Sequence, residues 1–160
     1  MMRIGCTGHQ KLSFSTRRNV AAAIAGVLAD QNEDLVGVTS LAEGADQLFA
    51  FAILAAGGQL YAIIPSSSYE RSFLSQHARD TYAALVSLST EKTILPFPEP
   101  GEDAYLAAGR EVADRSDILV AVWDGQQAAG KGGTGDIVGY ARAQGVDVRV
   151  VWPSGAAQRN

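Results

Sequence analysis

Short apolar runs alternate along the whole chain with longer segments of helical periodicity. The apolar runs predict strands at residues 3–7, 35–39, 60–64, 117–123 and 148–152, with a weaker one at 93–95. The segments between them predict helices at about 15–30, 45–56, 69–88, 103–115 and 136–144. This alternation is typical of βαβ units. It predicts a doubly wound parallel sheet with helices on both faces, a three-layer α/β/α fold.

The length and composition favour a single domain over residues 1–153, with 154–160 as a frayed tail. The chain has 160 residues, 47% of them apolar, and no glycine- or proline-rich linker divides it. The lone cysteine, Cys6, has no partner for an internal disulfide, which favours a reducing compartment. Nothing resembles a signal peptide or a membrane span of roughly 18 apolar residues. We therefore expect a cytoplasmic protein without a membrane partner.

Net charge bears on the class of partner. The chain carries a formal charge of −4, whereas a protein that binds a polyanion normally presents a basic face. We therefore expect no nucleic acid as a partner.

The second predicted helix is apolar nearly all round. Phe49, Phe51, Ile53 and Leu54 point in different directions at about 100° per residue, so a sheet on one side cannot cover them all. The surplus predicts a homodimer or larger homo-oligomer. The alternative is that long neighbouring side chains cover it within one copy.

A glycine-rich stretch at 129–136 joins the strand at 117–123 to the last helix. Such a turn exposes backbone N–H groups and the positive end of the helix dipole, an arrangement that suits phosphate. The expected phosphate-binding residues are Lys131, Gly132, Gly133, Thr134 and Gly135. The stretch is not a Walker P-loop, because Lys131 precedes the glycine pair. A flexible surface loop, in which glycine only permits a tight turn, is the alternative.

Polar residues also follow the other predicted strands. Because the carboxyl ends of parallel strands meet at one edge of a sheet, ligands bind there. The coincidence predicts a site of nucleotide size at this edge. Besides the glycine-rich stretch, the expected ligand-binding residues are Thr7, Gly8, His9, Gly44, Asp46, Asp124 and Gly125.

Several of these residues have a structural alternative. His9 could donate to a ligand oxygen, or only close its turn. Glu43 could accept from ribose hydroxyls or complete a capping box with Ser40, and Asp46 could bind ribose or favour the helix dipole. Asp124 alone does not make a magnesium site, so we expect no metal and no cofactor beyond a nucleotide ligand.

Four motifs together resemble the SLOG superfamily over about residues 3–152. They are Gly5-x-x-Gly8-His9, Gly44-Ala45-Asp46, the run 116–125 and Gly132-Gly133-Thr134-Gly135-Asp136. This Rossmann-like group includes LOG-type phosphoribohydrolases, DprA-type proteins and YpsA-like nucleotide-binding domains. The resemblance implies a Rossmann-like fold and nucleotide binding.

The hydrolase branch of that superfamily releases a base from a nucleoside 5′-monophosphate. It uses an arginine on the preceding helix, which Arg110 matches, and a glutamate after the glycine-rich loop. Matching the loop to 132–136 puts Gly139 at the glutamate position and leaves Asp136 as a substitute. We therefore expect nucleotide binding as a sensor or carrier. The alternative is a phosphoribohydrolase with Asp136, Arg110 or Glu43 as catalytic residues.

Overall fold

One parallel sheet of six strands organises the molecule, in the order β4-β3-β2-β1-β5-β6. The structure is a computed structural model that describes residues 1–127 and 130–153. The strands are β1 (Met2–Gly8), β2 (Leu35–Thr39), β3 (Gln59–Ile64), β4 (Glu91–Ile94), β5 (Ile118–Val122) and β6 (Asp147–Val151). The helices of the described residues are α1 (Phe14–Ala29), α2 (Ala45–Ala55), α3 (Gln76–Leu88), α4 (Glu102–Asp114) and α5 (Thr134–Ala143).

The helices cover both faces of this sheet. Buried residues of α1, α2 and α3 share one core cluster, and those of α4 and α5 share another on the opposite face. Every residue of β5 is buried, as two-sided coverage requires. The predicted α/β fold with a doubly wound parallel sheet is confirmed, and it forms a single domain. The predicted tail at 154–160 lies outside the described residues.

The direction of winding reverses at β1. The chain moves outward from β1 through β2 and β3 to β4, and α4 then returns it to β5 on the other side of β1. All the pairings are parallel, so the carboxyl ends of β1 and β5 lie side by side at the reversal. In open α/β sheets a ligand crevice forms at this point.

One prediction of local structure is wrong, and one of the two interpretations of Glu43 is excluded. The helix expected at 69–88 is divided into a 3₁₀ turn at Tyr69–Ser72 and α3, because Phe73 is extended and Ser75 caps α3 by accepting from the N–H of Ala78 at 3.1 Å. The capping box of Ser40 and Glu43 does not form. Instead α2 begins after Gly44, which makes no side-chain cap.

Most of α2 is covered within one copy of the chain. Phe49 and Ile53 are fully buried, because Gly37 of β2 has no side chain and lets both pack closely on the sheet. Phe51, by contrast, is 52% exposed. The apolar surplus of this helix is therefore smaller than its sequence indicates and is concentrated at Phe51. No helix within the described part of the chain is both long and apolar enough to cross a membrane.

Candidate functional site

A cleft of about 1240 Å³ opens at the carboxyl edge of the sheet. Its floor comes from the end of β1, and its walls come from the loops after β2 and β3, from α4 and from the glycine-rich loop. Nine residues singled out from the sequence line it. They are Thr7, Gly8, His9, Glu43, Asp46, Lys131, Gly132, Gly133 and Thr134.

The glycine-rich loop packs against the backbone of α4. Gly132 has φ of +82°, and a Cβ there would lie 2.6 Å from the backbone nitrogen of Leu106, so only glycine fits. Its N–H donates to Oδ2 of Asp136 at 3.1 Å, and the N–H of Gly133 donates to the carbonyl of Gly130 at 3.2 Å. Two of the N–H groups expected to cradle a phosphate are thus already used. Ala129, the first residue of the predicted stretch, lies outside the described residues.

The first turn of α5 supplies the other N–H groups of the loop. Its N-cap residue, Gly133, has no side chain to satisfy them. Within residues 1–127 and 130–153, the backbone N–H groups of Thr134 and Gly135 have no acceptor. Thr134 lines the cleft, so the positive end of the α5 dipole is directed at the cleft.

Lys131 lies on the rim of the cleft and pairs with Asp103 of α4. Both side chains are more than half exposed, so the ion pair adds little stability. A ligand anion could therefore compete with Asp103 for the ammonium group at small cost.

Asp46 is a buried carboxyl group in the wall of the cleft. Its Oδ2 accepts a hydrogen bond from the N–H of Ala42 at 3.3 Å. Burial raises the pKa of Asp46 to about 7, and the bonds from Ala42, Cys6 and Thr39 only partly oppose that shift. Near neutral pH this carboxyl is therefore divided between its neutral form, which can donate, and its ionised form, which only accepts.

The thiol of Cys6 lies beside that carboxyl. It is a free, buried cysteine at the cleft floor, with Sγ 3.9 Å from the carbonyl oxygen of Ala45. Burial, followed by the charge of Asp46, raises the pKa of the Cys6 thiol well above its ordinary value. A thiol with this environment is not a nucleophile at neutral pH.

His9 and Asp124 join the ends of β1 and β5. Nε2 of His9 lies 3.2 Å from Oδ1 of Asp124, and both side chains are buried. The same Oδ1 accepts the N–H of Gln126, and the histidine ring meets Trp152 edge-on at 5.4 Å. These contacts explain the positions of both residues within the fold, and only His9 also lines the cleft.

Gly8 and Gly44 bring the start of α2 close to β1. A Cβ on Gly8 would lie 2.5 Å from that of Ala45, and one on Gly44 would lie 2.4 Å from the carbonyl oxygen of Gln10. The N–H of Ala45 donates to the carbonyl of His9 at 3.1 Å. Both glycines therefore fix the shape of the cleft wall through backbone approach.

Six residues singled out from the sequence lie outside the cleft lining. These are Gly44, Arg110, Asp124, Gly125, Gly135 and Asp136. Arg110 is exposed and lies over the ring of Tyr140 at 5.1 Å, on the α4–α5 surface. Gly139 faces solvent, with no atom within 4 Å of a Cβ built there. The residue of the α5 body that does line the cleft is apolar, Ile137.

The sequence reasoning missed a second wall of the cleft. It comes from the segment after β1, the turn between β3 and α3, and α4. Its residues include Lys11, Arg17, Ser72, Phe73, Leu74, Ser75, Glu102 and Tyr105. The sequence signals that could have indicated this wall are the helix N-caps Ser13 and Ser75. Each marks the end of a loop that begins at the carboxyl end of a strand. No three His, Cys, Asp or Glu side chains of the described residues are placed to hold a metal ion.

The chain is similar to known proteins in its structure. No family model and no curated protein matches the sequence. DNA processing protein A (DprA) from Streptococcus pneumoniae superposes on 97% of this chain and 52% of its own length, with a TM-score of 0.71 and 19% identity. The chain has a SLOG-type Rossmann-like fold. The resemblance read from the four sequence motifs is confirmed at the level of fold.

Two further structures share the SLOG fold. DprA from Helicobacter pylori matches with a TM-score of 0.67 and 13% identity, over 98% of this chain and 68% of its own. The Moco carrier protein from Chlamydomonas reinhardtii matches with 0.55 and 14%, over 93% and 74%. The chain thus spans about half of the pneumococcal protein and two thirds of the Helicobacter protein.

The exclusion of nucleic acid on net charge is wrong. DprA from Helicobacter pylori, which shares this fold, binds single-stranded DNA. Net charge averages over the whole surface, whereas a strand contacts one cleft and its rim, where local cations decide. Lys11, Arg17 and Lys131 line the cleft of this chain, together with the carboxyl groups of Glu43, Asp46 and Glu102.

Proposed function

We propose that the cleft binds a nucleotide or a phosphorylated nucleoside derivative, and that the protein acts as a sensor or carrier. The observation that carries this proposal is the first turn of α5. Within the described residues the backbone N–H groups of Thr134 and Gly135 have no acceptor, and Thr134 lines the cleft, where the helix dipole also favours an anion. The ammonium group of Lys131 can leave Asp103 and pair with the phosphate of the ligand.

Two carboxyl groups across the cleft suit a sugar. Glu43 makes no hydrogen bond or ion pair with the described residues, and its side chain lines the cleft. Asp46 lines the same wall from the first turn of α2. Carboxylate oxygens accept both hydroxyl hydrogens of a vicinal diol, so these residues are our candidates for ribose.

Single-stranded DNA is a second candidate ligand. The cleft volume of about 1240 Å³ exceeds the roughly 300–1,000 Å³ typical of small-molecule sites. Lys11, Arg17 and Lys131 line it, and the DprA neighbour from Helicobacter binds single-stranded DNA. A DNA strand presents sugar and phosphate units like those of a nucleotide, so the same polar groups of the cleft can contact either ligand.

Hydrolysis of the N-glycosidic bond has weaker support. After Thr134, the residue of α5 that lines the cleft is Ile137, which has no acidic group. Arg110 lies outside the cleft lining, over the ring of Tyr140. Loss of one group that acts in the transition state slows chemistry by about 10²- to 10³-fold. We therefore expect little free base from common nucleoside monophosphates incubated with the protein.

Titration calorimetry with matched ligands tests this proposal. The probes are the common nucleoside 5′-monophosphates, the same nucleosides without phosphate, and a short oligothymidine. Binding of a monophosphate with much weaker binding of its nucleoside supports the phosphate site. Tighter binding of the oligonucleotide, with an affinity that falls steeply as salt rises, supports the second candidate. Absence of heat for all three probes at millimolar concentration contradicts both.

A further inference from the structure

The outer face of α1 and α2 lacks charge to an unusual degree. No charged residue occurs between Arg18 and Asp30, or between Asp46 and Glu70. Apart from Asn19, the exposed residues of α1 and α2 between these charges, with Ala56 after α2, are small or apolar: Ala22, Ala23, Ala25, Gly26, Ala29, Phe51, Ala55 and Ala56. Helices that face water normally carry charged residues on the outer side. We call this set of residues the α1–α2 face.

A groove and a protruding side chain lie together on the α1–α2 face. The groove, of about 470 Å³, runs between the carboxyl-terminal halves of the two helices. Alanines form much of its lining, including Ala25, Ala29, Ala52 and Ala55, and the rest includes Gln31, Glu33 and Asp34. Phe51, the residue before Ala52, is 52% exposed. An interface with twofold symmetry uses the same patch on both copies, so it needs a projection and a recess on one surface.

The charges at the two ends of α1 have opposite signs. Arg17 and Arg18 lie in its first turns, and Asp30, Glu33 and Asp34 follow its last turn. In an antiparallel pair of α1 helices, the basic end of each copy faces the acidic end of the other. A Cβ on Gly26 would meet no atom within 4 Å in one copy, so this position leaves room for close helix approach. The charge pattern therefore matches a second copy of the chain.

We propose that the α1–α2 face is a twofold interface between two copies of this chain, in which Phe51 of each copy enters the alanine-lined groove of the other. The arrangement pairs Arg18 with Asp30 across the axis at both ends. The alanine-lined groove and the cleft share no lining residue, and Arg17, beside Arg18, is where α1 reaches the cleft. It is independent of the ligand proposed above.

Sedimentation velocity on the full chain tests the interface. We expect a dimer for the wild type and a monomer for Phe51→Asp. The matched control is Leu74→Asp, because Leu74 is 90% exposed but lies at the cleft; this variant should remain dimeric. A far-UV circular dichroism spectrum like that of the wild type and a cooperative thermal melt establish that each variant is folded; the melting temperature of Phe51→Asp should be lower because it no longer gains stability from association.

A charge exchange tests the antiparallel orientation. Arg18→Glu should weaken the dimer at least tenfold at low salt, and Arg18→Glu combined with Asp30→Arg should restore most of that loss. A monomeric wild type at every concentration, or a folded Phe51→Asp that remains dimeric, overturns the interface. A double variant no tighter than Arg18→Glu overturns the pairing and with it the arrangement that we propose.

Discussion

The carboxylate of Asp136 accepts a hydrogen bond from the backbone N–H of Gly132 at 3.1 Å, so a side chain of α5 closes the loop that precedes it. The bond stabilises the turn before the helix. It also holds a negative charge beside the helix end that we assign to phosphate, in competition with a bound anion. Asp136 is thus better explained as a constraint on the loop than as a catalytic acid.

Replacing Asp136 with asparagine should strengthen the binding of a nucleoside monophosphate. The amide oxygen can still accept from Gly132, while the repulsion between two negative groups is removed. Two charges about 4 Å apart in water interact by roughly 1 kcal/mol, so we expect about fivefold tighter binding. Calorimetry on both proteins checks this. Weaker binding in Asp136→Asn would mean that the carboxylate itself contacts the ligand.

Asp46 should make stability fall as pH rises. Its pKa of about 7 in the folded protein lies above the ordinary value of 3.8, so between these values the folded chain holds a proton that the unfolded chain has released. The bound proton therefore stabilises the folded state fully below about pH 4, and this contribution declines until the pH passes 7. The pKa shift corresponds to a decrease in the free energy of unfolding on the order of 4 kcal/mol.

The variant Asp46→Asn isolates that contribution. Its free energy of unfolding should be measured with urea at a series of pH values. Between about pH 4 and 7 the wild type should lose stability relative to Asp46→Asn as the pH rises. Outside this window the difference should be constant. A difference that does not vary with pH would show that Asp46 titrates at its ordinary value.

Gly44 should be much less tolerant of alanine than Gly57. Both have positive φ, of +87° and +79°, so both substitutions carry a conformational cost of roughly 1–3 kcal/mol. Only at Gly44 would the new Cβ also meet backbone, 2.4 Å from the carbonyl oxygen of Gln10. Urea unfolding of both variants should show Gly44→Ala as the less stable by at least about 2 kcal/mol. Equal losses would contradict the close approach of this turn to β1.

The central strands were predictable because burial on both faces leaves a continuous apolar run in the sequence. β2 and β5 each consist entirely of buried residues, and their predicted bounds differ from the structure by no more than one residue. The half of the cleft at the strand ends was predictable for a related reason, since the residues after each strand meet at one edge. Thr7 and Thr134 both line the cleft.

The rest of the site depends on contacts that the sequence does not display. Leu74 and Tyr105 reach the cleft because the loop before α3 and the helix α4 fold over the strand ends. The use of the Gly132 N–H by Asp136 depends on the turn between them. The net charge of −4 gave no information on how Lys11 and Arg17 are placed at the cleft.

The most direct measurement of the central claim compares Thr134→Pro with Thr134→Ala. Thr134 is the first residue of α5, where proline is favoured, and Gly133 before it is extended (φ −68°, ψ 171°), as a residue preceding proline should be. Both variants lose the hydroxyl, but only proline loses the backbone N–H. The proline variant should therefore keep its fold.

If the α5 N-terminus binds the phosphate, titration calorimetry with a nucleoside monophosphate should show at least about tenfold weaker binding for Thr134→Pro than for Thr134→Ala. The two variants should bind the nucleoside without phosphate equally well. Equal affinity of both variants for the monophosphate, with both folded, would contradict the phosphate site and the function proposed from it.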